Sequence, residues 1–155
     1  MNKKGDHIIL IGMSGAGKTT TGEALSISLN LPFIDTDEEI VKITGFSIPE
    51  IFRLEGEAKF RSYESGVIRQ LLDFPKSVIS VGGGLPCYDN QIELLLEMGT
   101  VVHLDVSIDV LAKRLGKNTN SRPLFTKLSS NQIVEKTKTL MKQRTPFYRK
   151  ADLII

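Results

Sequence analysis

One octapeptide restricts this chain more than any other feature. Gly12-Met13-Ser14-Gly15-Ala16-Gly17-Lys18-Thr19 fits G-x-x-x-x-G-K-[ST]. It lies between an apolar run, His7 to Gly12, and a segment with helical spacing, Lys18 to Asn30. Glycines at this spacing let the backbone curl until successive N–H groups face one anionic site, at the positive end of the following helix. Lys18 can then reach the β/γ-phosphates, and the Thr19 hydroxyl a Mg²⁺ ion. By average composition, such a match arises by chance in fewer than about one chain in a hundred of this size. The strand–turn–helix context makes a nucleoside triphosphate site the reading.

Composition narrows the remainder. The chain has 155 residues, 41% hydrophobic and 25% charged, which suits one domain, 1–155, with its own core. Twenty Lys+Arg against 18 Asp+Glu leave a net charge of +2, which gives no case for a nucleic-acid or membrane partner. Cys87 is the one cysteine, so no internal disulfide can form, and a reducing, cytoplasmic setting is expected. The basic Met1-Asn2-Lys3-Lys4 precedes too short an apolar run for a signal peptide, and a soluble monomer is the expectation.

Apolar and helical patterns alternate along the chain. Strands are expected at His7–Gly12, Pro32–Asp35, Ser77–Val81, Thr100–Leu104 and Asp152–Ile155. Helices are expected from Lys18, with Ala24, Leu25, Ile27 and Leu29 as its apolar positions, and at Glu38–Thr44. Another should start at the capping box Ser47-Ile48-Pro49-Glu50, followed by a longer one through Phe60 to Leu72. Two more should cover Ser107–Leu115 and the stretch from Ser129 or Ser130 to about Arg144. Residues 116–128 lose periodicity and collect Gly, Asn, Ser and Pro, the pattern of a mobile lid. The alternation predicts an α/β fold of three layers, a central parallel sheet of about five strands with helices on both faces.

The use of the nucleotide is less constrained. No N-K-x-D tetrapeptide supports a guanine site. Asp105, after Val101-Val102-His103-Leu104, is one candidate metal-side carboxylate. Asp35 and Asp37 are another: if the strand persists that far, alternation puts both on one side. One would hold a metal-bound water while the other orients or deprotonates a hydroxyl. Capping of the next helix explains the same pair, since Asp favours that position. Taken singly, other residues are as ambiguous. Arg61 reads equally as an ion pair with Glu57 or Glu64, and Arg144 as a complement to a helix end. Gly82-Gly83-Gly84 also reads as a strand-ending turn, Arg122 as an exposed loop side chain, and Phe52 and Phe60 as core.

Together, however, the motifs form a recognisable set. The phosphate loop, Asp35-Thr36-Asp37, Gly56-Glu57-x-x-Phe60-Arg61-x-x-Glu64, Gly82-Gly83-Gly84, Arg122-Pro123-Leu124 and Arg144-x-Pro-x-Tyr148 occur in the order seen in shikimate kinases, which the chain resembles from about Ile8 to Ile155. The resemblance implies transfer of the γ-phosphoryl of ATP to the 3-hydroxyl of shikimate, toward chorismate and aromatic amino acids. It implies that Gly12, Ser14, Gly15, Ala16, Gly17, Lys18, Thr19 and Thr20, with Arg114 and Arg122, bind ATP. Thr19 and Asp35 would serve Mg²⁺, Asp35 through water. Asp37, Arg61, Gly82, Gly83, Gly84, Arg144, Phe52, Phe60 and Glu64 would bind shikimate within a helical region of about 37–64. Lys18, Asp37 as base, and Arg122 in the closing lid would be catalytic.

Two other functions remain in competition at this point: a kinase for another hydroxy acid such as gluconate, and a nucleotide-binding switch or ATPase using Asp105. Shikimate kinases usually continue past the last strand with a loop and helix beside the adenine, whereas this sequence stops at Ile155. The expectation is therefore either a further tail or a more open adenine pocket.

Overall fold

A computed structural model describes residues 5–117, 119 and 121–155. Five strands form one sheet: β1 (His7–Ile11), β2 (Phe33–Asp35), β3 (Val78–Ser80), β4 (Gly99–His103) and β5 (Leu153–Ile154). Their order is β2-β3-β1-β4-β5, and every pairing is parallel. Central strands of a parallel sheet are covered on both faces, so they read as unbroken apolar runs. Ile9, Leu10 and Ile11 of β1 and Val101 and Val102 of β4 are all buried.

Among the described residues, seven α-helices connect and flank the strands: α1 (Lys18–Leu29), α2 (Thr36–Thr44), α3 (Ile48–Leu54), α4 (Glu57–Leu71), α5 (Gln91–Met98), α6 (Ile108–Gly116) and α7 (Ser130–Tyr148). The capping box at α3 forms as expected, with Ser47 and Glu50 exchanging side-chain and backbone hydrogen bonds. Ser129 and Gln132 do the same at α7. His7, buried in β1, accepts from Ser77 N–H through Nδ1 and reaches the Leu71 carbonyl through Nε2, tying the end of α4 to the start of β3.

Four expectations need correction. Helix α1 does not bury Ala24, Ile27 and Leu29: Ile27 is 82% exposed, and the buried positions are Gly22 and Ser26. The physical reason is close approach, because a Cβ on Gly22 would lie 2.4 Å from the Phe33 ring. A small-residue contact carries no hydrophobic signal. Helix α5 was not expected at all, although Ile92, Leu95 and Met98 line its buried side. A parallel β3–β4 connection demands such a crossover. Helix α7 runs four residues past Arg144 and through Pro146. Lastly, β2 stops at Asp35 and the chain turns at once into α2, so Asp35 and Asp37 do not share a strand face.

The expected lid, 116–128, includes Asn118 and Asn120, which lie outside the described residues, as do Met1 to Lys4. Its described part is not featureless. Pro123–Phe125 forms a 3₁₀ turn whose Phe125 is fully buried.

Candidate active site

The site is built at the carboxyl ends of β1, β2 and β3, the usual ligand crevice of an open parallel sheet. β1 feeds the loop Gly12–Gly17, where Gly15 and Gly17 adopt φ of 85° and 90°. No side chain caps α1 and no acidic residue occupies its first turn. The leading N–H groups of that helix therefore remain available to an anion. Lys18 folds back over the loop, its Nζ donating to the carbonyls of Gly12 (2.9 Å) and Met13 (3.0 Å). Burial pulls its pKa down to about 8, against the opposing pull of Asp37.

Asp35 caps the next helix and also reaches the phosphate loop. Its Oδ1 caps α2 by accepting from Asp37 N–H (2.9 Å) and Glu38 N–H (3.4 Å), while its Oδ2 accepts from the Thr19 hydroxyl (3.1 Å). The cap turns Asp37 into the first turn of α2, where its Oδ1 is buried without a hydrogen-bond partner. Burial first, and the neighbouring Asp35 second, push the Asp37 pKa up to about 6, with Lys18 and Arg61 opposing.

A cavity of about 660 Å³ follows this loop. It is lined by Ser14, Gly15, Ala16, Gly17, Lys18, Thr19 and Thr20, by Asp35 and Asp37, and by Arg114 and Arg122. Arg114 reaches in from α6 and donates to the Gly15 carbonyl (2.9 Å). Gly12 lies beneath the cavity and contributes its carbonyl to Lys18 rather than a lining surface. Asp105 does not line it; its N–H is spent on the Ile155 carbonyl.

A second cavity, about 110 Å³, adjoins the first and shares Ser14, Asp37, Gly82, Gly83 and Arg122 with it. Its other walls include Phe52, Phe60, Arg61, Glu64, Gly84 and Arg144. The two phenyl rings meet at 4.9 Å between centroids, tilted by 45°, and supply an apolar side. The two arginines supply positive charge: Arg144 is buried beside the Met13 sulfur (3.9 Å) and the Tyr148 hydroxyl, and Arg61 pairs with Glu64 (2.7 Å) and Glu57 (3.1 Å). Glu64 is 2% exposed, and burial pushes its pKa up to about 7, against Arg61. Close approach requires the glycines here. A Cβ on Gly84 would sit 2.6 Å from Arg61 Nη2, and one on Gly83 3.0 Å from Arg144 Nη1.

Sequence reasoning missed several contributors. Ser80, Val81 and Thr21 line the larger cavity and Ile48 the smaller, but none stands out by residue type. Tyr148, part of a motif with no role attached, donates to the Gly83 carbonyl (2.6 Å) and touches the Met13 sulfur (3.8 Å). Tyr88, against Arg61, has no signal in the sequence.

Comparisons with known proteins agree with this geometry. A family model described as shikimate kinase matches residues 14–155. A shikimate kinase of Bacteroides fragilis is 38% identical over 148 residues, covering 96% of this chain and 83% of that protein. One from Trichormus variabilis is 42% identical over 152 residues, covering 98% and 81%. Among solved structures, the shikimate kinase of Acinetobacter baumannii in complex with shikimate superposes with a TM-score of 0.90 at 36% identity, over 97% of this chain and 83% of that one. With near full-length identity of this order and a match that spans both cavities, the chain belongs to the shikimate kinase family.

Proposed function

We propose that this chain transfers the γ-phosphoryl group of ATP to the 3-hydroxyl of shikimate, giving shikimate 3-phosphate and ADP, a step toward chorismate and the aromatic amino acids. One observation carries the reading. The phosphate loop and the Arg61–Arg144 pocket form adjoining cavities, and Asp37 lines both. A phosphoryl donor and a hydroxylated acid can thus lie side by side with a carboxylate between them. Phosphoryl transfer needs that positioning and charge neutralisation more than covalent help from the protein.

In this reading the P-loop amides and Lys18 cradle the phosphates, and Arg114 and Arg122 flank them. Arg61 and Arg144 hold the planar carboxylate of shikimate, for which a guanidinium fork is well shaped. Gly82, Gly83 and Gly84 let the ring approach the backbone, and Phe52 and Phe60 face its apolar side. Asp37 accepts a hydrogen bond from the 3-hydroxyl and takes its proton as the oxygen–phosphorus bond forms and the β–γ bridge bond breaks. A pKa near 6 leaves Asp37 ionised at neutral pH yet basic enough for that role.

A magnesium ion fits the residues beside the cradle. The Thr19 hydroxyl and an Asp35 carboxylate oxygen lie 3.1 Å apart, both hard oxygen donors, and Mg²⁺ takes few protein ligands when phosphate and water supply the rest. Thr19 would hold it directly and Asp35 through water, and it would neutralise phosphate charge. Among the described residues no helix is long and apolar enough to cross a membrane. We take the working form to be a monomeric, single-domain enzyme of the cytoplasm, in keeping with near-neutral charge and one unpaired cysteine.

The switch reading loses its metal residue with Asp105 outside the cavity. ADP release in Mg²⁺ buffer, with shikimate, with gluconate and with neither, tests the proposal. Release stimulated by shikimate alone is expected, and equal rates in all three overturn it.

A further inference from the structure

Arg61 is held from two directions. Along its own helix, Nη1 donates to Glu64 Oε2 and Nη2 to Glu57 Oε1. Off the helix, Tyr88 lays its ring over the guanidinium, 4.2 Å from centroid to Cζ. The Tyr88 hydroxyl donates to the same Glu57 oxygen that Arg61 uses (3.0 Å). Glu57, Arg61 and Tyr88 thus close a triangle of one ion pair, one hydrogen bond and one cation–π contact.

The donor count shows what this arrangement leaves. A guanidinium has five N–H donors. Glu57 and Glu64 take one each, and Nε is buried without an acceptor. At most two donors, one on each Nη, are left for a ligand, so the plane of the fork decides how they face the smaller cavity. Buried Glu64 anchors Nη1, but the Nη2 edge rests on Glu57, which is 47% exposed, and exposed pairs at this spacing contribute only about 0.3–0.5 kcal/mol. The Tyr88 ring, with Arg61 Cζ 4.2 Å from its centroid, adds a restraint from outside the helix. Gly84 also packs close, where even a methyl group would meet Arg61 Nη2 at 2.6 Å. Gly84 and Tyr88 flank the same short 3₁₀ turn, Leu85–Cys87, so one turn meets the fork at two points.

We propose that Tyr88 is a positioning residue for the acid substrate, fixing the plane of Arg61 through its ring and holding Glu57 as its lock. The inference rests on the reading of Arg61 as the grip on the substrate carboxylate. Its physical content is preorganisation: Arg carries large rotamer entropy, and a fork ordered before binding loses less of it on binding. Tyr88 is 39% exposed and far from the phosphate loop residues, so it is neither core nor part of the ATP cradle.

The test is steady-state ADP release by purified Tyr88→Leu and Tyr88→Phe beside the parent enzyme, with shikimate and ATP varied separately. Tyr88→Leu should raise the shikimate KM about fivefold to tenfold, with kcat and the ATP KM within about twofold. Tyr88→Phe keeps the ring and should restore the KM to within about threefold of the parent. A shikimate KM unchanged in Tyr88→Leu overturns the inference. So does a kcat or ATP KM that shifts in step, because the whole site has then been disturbed. Should Tyr88→Leu fail to fold, Glu57→Gln carries the test: a rise of roughly threefold is expected, and no rise overturns the lock. A parent enzyme that shikimate does not stimulate overturns the function and this inference together, whereas an active parent with a silent Tyr88→Leu sinks Tyr88 alone.

Discussion

Asp37 and Glu64 converge on one point of the Gly82 backbone. A methyl group there would lie 3.3 Å from Asp37 Oδ1 and 2.6 Å from Glu64 Oε1, and neither oxygen has a hydrogen-bond partner. Two buried carboxylates facing the same space hold protons more tightly than either would alone in water. Both pKa values are raised, to about 6 and about 7, with burial as the first cause in each; Asp35 adds to the first and Asp37 to the second. Burying the pair comes at a cost to the resting fold.

That cost is measurable. A carboxyl whose pKa in the folded state lies above its ordinary value stabilises the fold below the ordinary value, and this stabilisation is lost as pH rises through the folded value. For Asp37 the window runs from 3.8 to about 6. Asp37→Asn never ionises, so at about pH 8 it should unfold a few degrees above the parent, a gain that shrinks toward about pH 4.5. The same variant should lose kcat by about a hundredfold. Thermal unfolding at the two pH values, with turnover on the same samples, checks both. A variant less stable at pH 8 would show that Lys18 and Arg61 outweigh burial.

The pH profile of kcat/KM should be bell-shaped. Its acid limb belongs to the coupled Asp37–Glu64 pair, between about 6 and about 7, because deprotonated Asp37 is the competent form. Its alkaline limb belongs to Lys18, near about 8, where the charge that meets the phosphates is lost. Lys18→Arg should move the alkaline limb up, since an arginine stays charged throughout. An alkaline limb that stays in place would assign it to another group.

How much of this was legible in the sequence depends on the kind of signal involved. The phosphate loop, the Ser47 and Ser129 caps and the buried strands rest on local residue type and spacing, and all appear where expected. Asp35 and Asp37 were found as a pair for an incomplete reason: the strand ends between them, and the helix cap supplies the geometry. The packing of Gly22 on Phe33 and of Tyr88 on Arg61 depends on which surfaces meet in three dimensions, and single residues do not encode that. Helix α5 is demanded by topology even where its own sequence signal is short, since a parallel β3–β4 step requires a crossover.

Arg61 and Lys18 should separate binding from chemistry. Arg61→Ala removes a charge-assisted fork and leaves Glu64 buried without its partner. The shikimate KM should rise about tenfold or more, with a smaller change in kcat. Lys18→Ala, by contrast, should lower kcat by about a hundredfold or more at saturating shikimate, because the charge it supplies matters most as phosphate charge redistributes. Steady-state kinetics on both variants checks the division. An Arg61→Ala enzyme with parental KM would move the carboxylate grip elsewhere.

Gly84→Ala isolates the steric argument. Gly84 has φ −86° and ψ −15°, a conformation open to any residue, so alanine imposes no backbone strain there. The one cost is space, since its Cβ would meet Arg61 Nη2 at 2.6 Å and Cζ at 2.9 Å. Arg61 must then tilt away, and the tilt would break the contact with Glu64 or Glu57. The expected result is a shikimate KM raised about tenfold while the ATP KM is unchanged and the unfolding temperature falls by only a few degrees. Arg61→Ala in the same chain should abolish the effect of Gly84→Ala, because the clash then has no partner. Additive effects in the double variant would mean that Gly84 acts on the ring of the substrate directly, rather than through the arginine.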